Sequence, residues 1–164
     1  MIRTRHTLLL LAIVPVLCSQ CTATRQLQQA ERNKETVRLW WEEGWNNNRN
    51  EELLYRCFTP DWQDGNPLVA SQQEGIEGIR RTVRAYREAF PDSKFTITHL
   101  FADHKHVAIR YEVIATHQGE MFGLAPTGRE FTSTGLVLYE MRDGKIAVTW
   151  QELDLTGIIN QLKN

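Results

Sequence analysis

The feature that most constrains the fold is a change in hydrophobic period after Pro91. From residue 95 to residue 154, apolar side chains recur at every second position, which is typical of β-strands with one buried face. Turn signals at 103–105, 119–128 and 143–144 divide this stretch into four segments. The second half of the chain therefore predicts a meander of four long antiparallel strands.

Helical periodicity precedes these strands. Apolar residues repeat every three or four positions in segments that begin near Asn33, Glu51 and Ile76. The proline-containing stretch from Thr59 to Gly75 is predicted to be a loop, and 155–162 a short terminal helix. Helices followed by an antiparallel sheet predict an α+β fold, in which a twisted sheet curls around the helices and leaves a pocket between them.

The first 23 residues are typical of an export signal. A basic segment precedes an apolar run of ten residues, 8–17, which is too short to span a bilayer but suits a signal-peptide core. We therefore interpret residues 1–23 as a leader, 24–32 as a polar tether and 33–164 as the folded domain.

Two routes of leader processing are open. The leader could be cleaved after Ala23, or Cys21 could carry a lipid, although Gln20 is larger than the residue that usually precedes a lipidated cysteine. Both routes predict an exported protein, either periplasmic or anchored in the membrane as a lipoprotein, and an uncleaved N-terminal helix is the alternative. Cys57 would then be the single cysteine of the domain, where its helical spacing favours a core position over a reactive thiol.

The charge pattern argues against one class of partner. The net charge is -1 over 164 residues, and no basic stripe is interleaved with aromatic residues. Nucleic acid is therefore not an expected partner.

The last predicted strand carries a possible catalytic group. If residues 145–154 alternate regularly, Trp150, Glu152 and Asp154 share one face, which is mostly apolar and ends in two carboxylates. Because a partly desolvated carboxylate is a better proton acceptor, Asp154 is a candidate general base. The alternative is that Asp154 caps the helix that starts at Leu155.

Aromatic residues supply candidate pocket walls. Three tryptophans at positions 40, 41 and 45 form one face of the first helix, which could cover the sheet or a cavity. His117 shares the predicted strand face of Tyr111, so it is either a pocket histidine or a structural one at a loop corner. The candidate substrate-binding residues are Trp41, Trp45, Tyr111, Phe122, Trp150 and Glu152.

Several segments, in a fixed order, carry a family resemblance. They are WWEEGWN at 40–46, PDWQDGNP at 60–67, EGIEGI at 74–79, AFPD at 89–92, THQGEMFGLAPTG at 116–128, and DGKI at 143–146 followed by Trp150 and Asp154. With these segments, the chain from about residue 33 to its end resembles the SnoaL-like polyketide cyclase (ester cyclase) family of the NTF2-like superfamily.

The resemblance implies a cone-shaped α+β barrel that closes polyketide rings by intramolecular aldol condensation, without metal or cofactor. Asp154 matches the family's general acid/base and His117 also matches the family pattern. The chain departs from the family at Gly65 and Thr149, where members commonly carry histidine.

Three hypotheses about function are open at this point. The first is a cyclase, isomerase or hydrolase that uses Asp154 as a base on an apolar carbonyl compound. The second is a non-catalytic module that binds a small hydrophobic molecule. The third is an interaction domain that forms a homodimer through the convex sheet face, where Arg110, Glu112 and Thr132 would lie.

Overall fold

The computed structural model describes residues 10–67 and 75–163, with side chains described from residue 22 onward. The elements follow in the order α1 (Leu10–Leu39), a π-helix (Trp40–Asn46), α2 (Asn50–Cys57), β1 (Phe58–Asp64), α3 (Gly75–Ala89), β2 (Lys94–Ala102), β3 (His106–Thr116), β4 (Glu130–Arg142), β5 (Lys145–Leu153) and α4 (Leu155–Lys163). The predicted α+β fold is confirmed.

The strands form one curved, mixed sheet in the order β1-β5-β4-β3-β2. Strands β2 to β5 are the predicted antiparallel meander. Strand β1 was predicted to be loop, and it instead pairs in parallel with β5 at the sheet edge. The prediction failed because β1 contains Pro60, which sheets tolerate at their edges, and its burial does not alternate.

Helix α1 extends far before the predicted start at Asn33. Asn33 is fully buried and its Nδ2 donates to the Asp103 carbonyl at 3.3 Å, so its side chain joins α1 to the β2–β3 turn. Residues 24–32 are helical, while their role as a tether and the leader at 1–23 stay predictions; residues 1–9 lie outside the described part. No helix among the described residues is both long and apolar enough to cross a membrane.

The core lies between the helices and the inner face of the sheet. All six inward positions of β3 and its extension, from Val107 to His117, are buried as the alternation predicts. They pack against the buried rings of the π-helix and against α3. Burial of each large apolar side chain contributes about 1.5–3 kcal/mol, so this layer dominates the stability of the fold.

A β-bulge interrupts the pairing of β4 with β5. Met141 pairs with Ile146 and Glu140 pairs with Val148, which leaves Ala147 without a partner on β4. An extra residue of this kind reverses the inward and outward alternation of the strand beyond it. The side chains after Ala147 therefore face the opposite way from the prediction.

The outer face of the sheet exposes apolar side chains between charged ones. Phe101, Leu136 and Leu138 are 67%, 58% and 43% exposed, and Arg110 pairs with Glu112 at 3.4 Å on the same face. Dimerisation through this face stays a prediction.

Leu138→Glu should convert a dimer of this chain into a monomer, because it would place two like charges near each other across the interface. Sedimentation equilibrium over a range of concentrations measures the change. Leu27→Glu, at an exposed leucine of α1, is the matched control and should leave the dimer intact. A monomeric wild-type chain, or a dimeric Leu138→Glu variant, would contradict the prediction.

Candidate functional site

A small cavity of about 50 Å³ lies between the helices and the inner face of the sheet. Four of the predicted substrate-binding residues line it: Trp41, Trp45, Tyr111 and Phe122. The cavity walls are mostly aromatic and aliphatic, and no carboxylate of the described residues lines them. The lining is typical of a site for an apolar ligand, but the volume of about 50 Å³ is far below the roughly 300–1,000 Å³ of ordinary ligand pockets, so the cavity suits only a very small molecule.

The π-helix supplies the tryptophan wall. Trp41 and Trp45 are four residues apart on one face of this helix, and both line the cavity. The Trp41 ring lies 4.7 Å from the Tyr111 ring, and Trp45 lies 5.3 Å from Tyr86. Arg87 donates to the Trp45 carbonyl and stacks over the Trp45 ring at 5.2 Å, so a half-buried guanidinium fixes the end of the π-helix. Burial lowers the pKa of Arg87.

Gln151 is a cavity residue that the sequence prediction missed. It lines the cavity, and its Nε2 donates to the Tyr111 hydroxyl oxygen at 2.8 Å. Burial raises the pKa of Tyr111 to about 12, so its phenol stays protonated at neutral pH. Gln151 was missed because regular alternation placed it on the outer face, whereas after the bulge at Ala147 its side chain reaches the cavity, although the residue as a whole is exposed.

Trp150 and Glu152 do not line the cavity, and the prediction that they share an inner face is wrong. They pair with Leu138 and Leu136, which are exposed on the outer face. Glu152 is exposed and accepts a hydrogen bond from Asn66 at 3.2 Å.

Asp154 lies at the end of β5 and caps α4. Its Oδ1 accepts the Gly157 N–H at 2.8 Å, and its carbonyl accepts the Ile158 N–H at 3.1 Å. Its side chain is exposed and does not line the cavity, although the preceding residue, Leu153, does. Asp154 therefore has the contacts of a helix cap, and its catalytic role stays a prediction.

His117 is fully buried at the base of the loop that joins β3 to β4. Its Nδ1 lies 3.2 Å from Thr127 Oγ1, and its ring lies 5.5 Å from the Phe90 ring. Its Nε2 has no partner among the described residues, and it does not line the cavity. Its catalytic role also stays a prediction. The described residues contain no cluster of three or more side chains placed to hold a metal ion.

Phe122 reaches the cavity from the tip of the same loop. Phe122 and Gly123 have φ values of 57° and 71°, and Met121 and Leu124 exchange backbone hydrogen bonds around them. The two backbone hydrogen bonds offset the cost of the left-handed conformation at Phe122, about 1–2 kcal/mol, and the turn that they close places the ring against the cavity.

Gly65 lies directly against Trp150. A Cβ atom at residue 65 would come within 2.1 Å of Trp150 Nε1. The backbone cannot retreat easily, because the Gly65 N–H donates to the Thr149 carbonyl at 2.8 Å. Trp150 thus occupies the space that a histidine at this position would need.

Gly65→His should lower the free energy of unfolding by about 1–3 kcal/mol through overpacking. In a Trp150→Ala background, Gly65→His should lower the free energy of unfolding much less, since the obstructing indole ring is gone. Urea denaturation of the four chains in the double-mutant cycle measures the coupling. Additive effects would show that the two positions do not compete for space.

Comparison with solved structures places this fold among known proteins. TsrD from Streptomyces laurentii is 26% identical, with a TM-score of 0.66, over 80% of this chain and 92% of that chain. IdmH from Streptomyces antibioticus, a candidate polyketide cyclase, is 27% identical, with a TM-score of 0.67, over 80% and 99%. A SnoaL-like polyketide cyclase from Agrobacterium tumefaciens, at 21% identity and a TM-score of 0.67 over 79% and 97%, shares the fold.

No sequence among the curated proteins matches the chain significantly. The neighbours' fold is NTF2-like, as the sequence resemblance implied. The model of one family, the SnoaL-like polyketide cyclases, matches residues 35–162, which is most of the chain. The chain therefore belongs to the SnoaL-like polyketide cyclase family.

Proposed function

We propose that the protein is a cofactor-independent enzyme of the cyclase or isomerase type that acts on a small apolar carbonyl compound. The observation that carries this proposal is the aromatic cavity with the Tyr111–Gln151 pair as its polar feature. Apolar walls orient a small substrate and exclude water. Family membership supports the reaction class.

Asp154 is the proposed general base. One of its oxygens, Oδ1, holds the Gly157 N–H, while Oδ2 accepts no hydrogen bond from the described residues. In the proposed reaction, Oδ2 takes a proton from the carbon beside a carbonyl, and the electron pair forms an enolate. The enolate carbon then attacks a second carbonyl of the same molecule, and the new alkoxide takes the proton back. In an isomerase, the proton returns to a different carbon.

A specific observation favours a second candidate function. No carboxylate among the described residues lines the cavity, and Asp154 is exposed and engaged as a helix cap. In this case the protein would bind a small hydrophobic molecule and release it unchanged.

Proton exchange separates the two functions. Methyl 2-methylacetoacetate carries one acidic proton between two carbonyls, and NMR in D2O follows its replacement by deuterium. An enzyme should accelerate this exchange above buffer alone. Binding is followed by the emission of Trp41 and Trp45, because both rings line the cavity. Binding without acceleration would favour the module, and neither binding nor acceleration would contradict both functions.

A further inference from the structure

We propose that Tyr111 donates the hydrogen bond that selects a carbonyl oxygen in the cavity, and that Gly135 and Gln151 are the residues that position its hydroxyl. This inference rests on the proposed function and deepens it. It assigns the ligand class as apolar molecules that present a carbonyl oxygen to the phenol.

Gly135 makes room for the phenol. It is the register partner of Tyr111 on the neighbouring strand, β4. A Cβ atom at residue 135 would lie 2.4 Å from the Tyr111 hydroxyl oxygen and 2.5 Å from Cζ. The end of the ring therefore lies directly over the Gly135 backbone, and no other residue type leaves this space open.

The hydrogen bond from Gln151 leaves the phenol proton free. Tyr111 Oη accepts from Gln151 Nε2 at 2.8 Å, and the phenol donates to none of the described residues. Tyr111 is 1% exposed, so the proton has little access to bulk water. A ligand oxygen would satisfy a buried donor that is otherwise costly.

Neighbouring side chains hold both Tyr111 and Gln151 in place. The Tyr111 ring lies 4.7 Å from Trp41 and 5.8 Å from Phe95. The Gln151 backbone exchanges two hydrogen bonds of 2.9 Å with the Asn66 side-chain amide. A donor fixed before the ligand arrives needs little reorganisation when charge develops on the carbonyl oxygen.

The test compares cyclohexanone with methylenecyclohexane, which has nearly the same shape but no oxygen. Tryptophan emission gives both dissociation constants. In Tyr111→Phe, the preference for the ketone should fall about tenfold, the amount expected from one buried hydrogen bond, while hydrocarbon binding stays the same. The infrared carbonyl band of bound cyclohexanone should move to higher frequency in this variant.

Two further variants separate donation from packing. Tyr139→Phe is the control, because this buried hydroxyl bonds to Trp41 Nε1 at 2.8 Å and does not line the cavity; the preference should not change. Gly135→Ala keeps every polar group but displaces the Tyr111 phenol. The preference for cyclohexanone over methylenecyclohexane should therefore fall in this variant.

The outcomes separate this inference from the function on which it rests. An unchanged preference in Tyr111→Phe, or an equal fall in Tyr139→Phe, would overturn the inference and leave the proposed function standing. Failure of the wild-type protein to bind either compound would contradict both.

Discussion

Asp154→Asn should slow deuterium exchange into methyl 2-methylacetoacetate by about 10²–10⁴-fold, the usual contribution of a general base. Asparagine cannot take the proton, but it caps helices as well as aspartate does. Its side-chain oxygen can still accept the Gly157 N–H that Asp154 accepts at 2.8 Å. The fold and ligand binding should therefore survive, which thermal unfolding and tryptophan emission check.

Glu152→Gln is the matched control for this substitution. It removes a carboxylate two residues earlier, from an exposed position on the outer face, and should leave the exchange rate unchanged. An unchanged rate in Asp154→Asn as well would mean that Asp154 is not the base. Its role would then be to cap α4, and the binding module would be the better description.

The sheet could be predicted because its signal repeats along each strand. Every second residue of β3 from Val107 to Ala115 is buried, and His117 continues the same face. Burial on one side of a strand imposes this period on the sequence, so a single chain is enough to reveal it.

Strand β1 and the start of α1 could not be predicted, since neither has such a repeat. Strand β1 is a short edge strand with a proline, and its identity depends on parallel pairing with β5, which lies far away in sequence. Asn33 has the chemistry of a helix cap, but its buried bond to Asp103 depends on tertiary packing.

The cavity could be predicted in part. Trp41, Trp45 and Tyr111 belong to elements whose inward faces the sequence indicates, whereas Phe122 lies in a loop that carries part of the family resemblance, and all four line the cavity. Gln151 could not be found in this way, because alternation cannot be extended past a bulge that the sequence does not show.

The residue type at the bulge, Ala147, explains why the bulge cannot be predicted from the sequence. An alanine fits an inner, an outer or an unpaired position equally well, so nothing local marks the insertion. Its effect is nevertheless large, because it exchanges the sides of Trp150 and Gln151. The polar group offered to the ligand is thus an amide rather than a carboxylate.

Phe90→Ala should lower the free energy of unfolding by about 3–5 kcal/mol, which is a large fraction of the stability of a typical domain. Phe90 is fully buried and follows α3 directly. Its ring lies 4.8 Å from Tyr86, 5.2 Å from Phe131 and 6.0 Å from Phe122. Its removal would separate α3, the sheet and the loop that carries Phe122.

Urea denaturation measures this loss, and Tyr55→Ala is its control, since Tyr55 is an aromatic residue of α2 that is 61% exposed. The control should change stability by no more than about 0.5 kcal/mol. Because Phe90 contacts three rings that line the cavity, Tyr86, Phe122 and Phe131, its loss should also weaken cyclohexanone binding at temperatures where the variant is still folded. Equal losses of stability in the two variants would show that Phe90 does not join these layers.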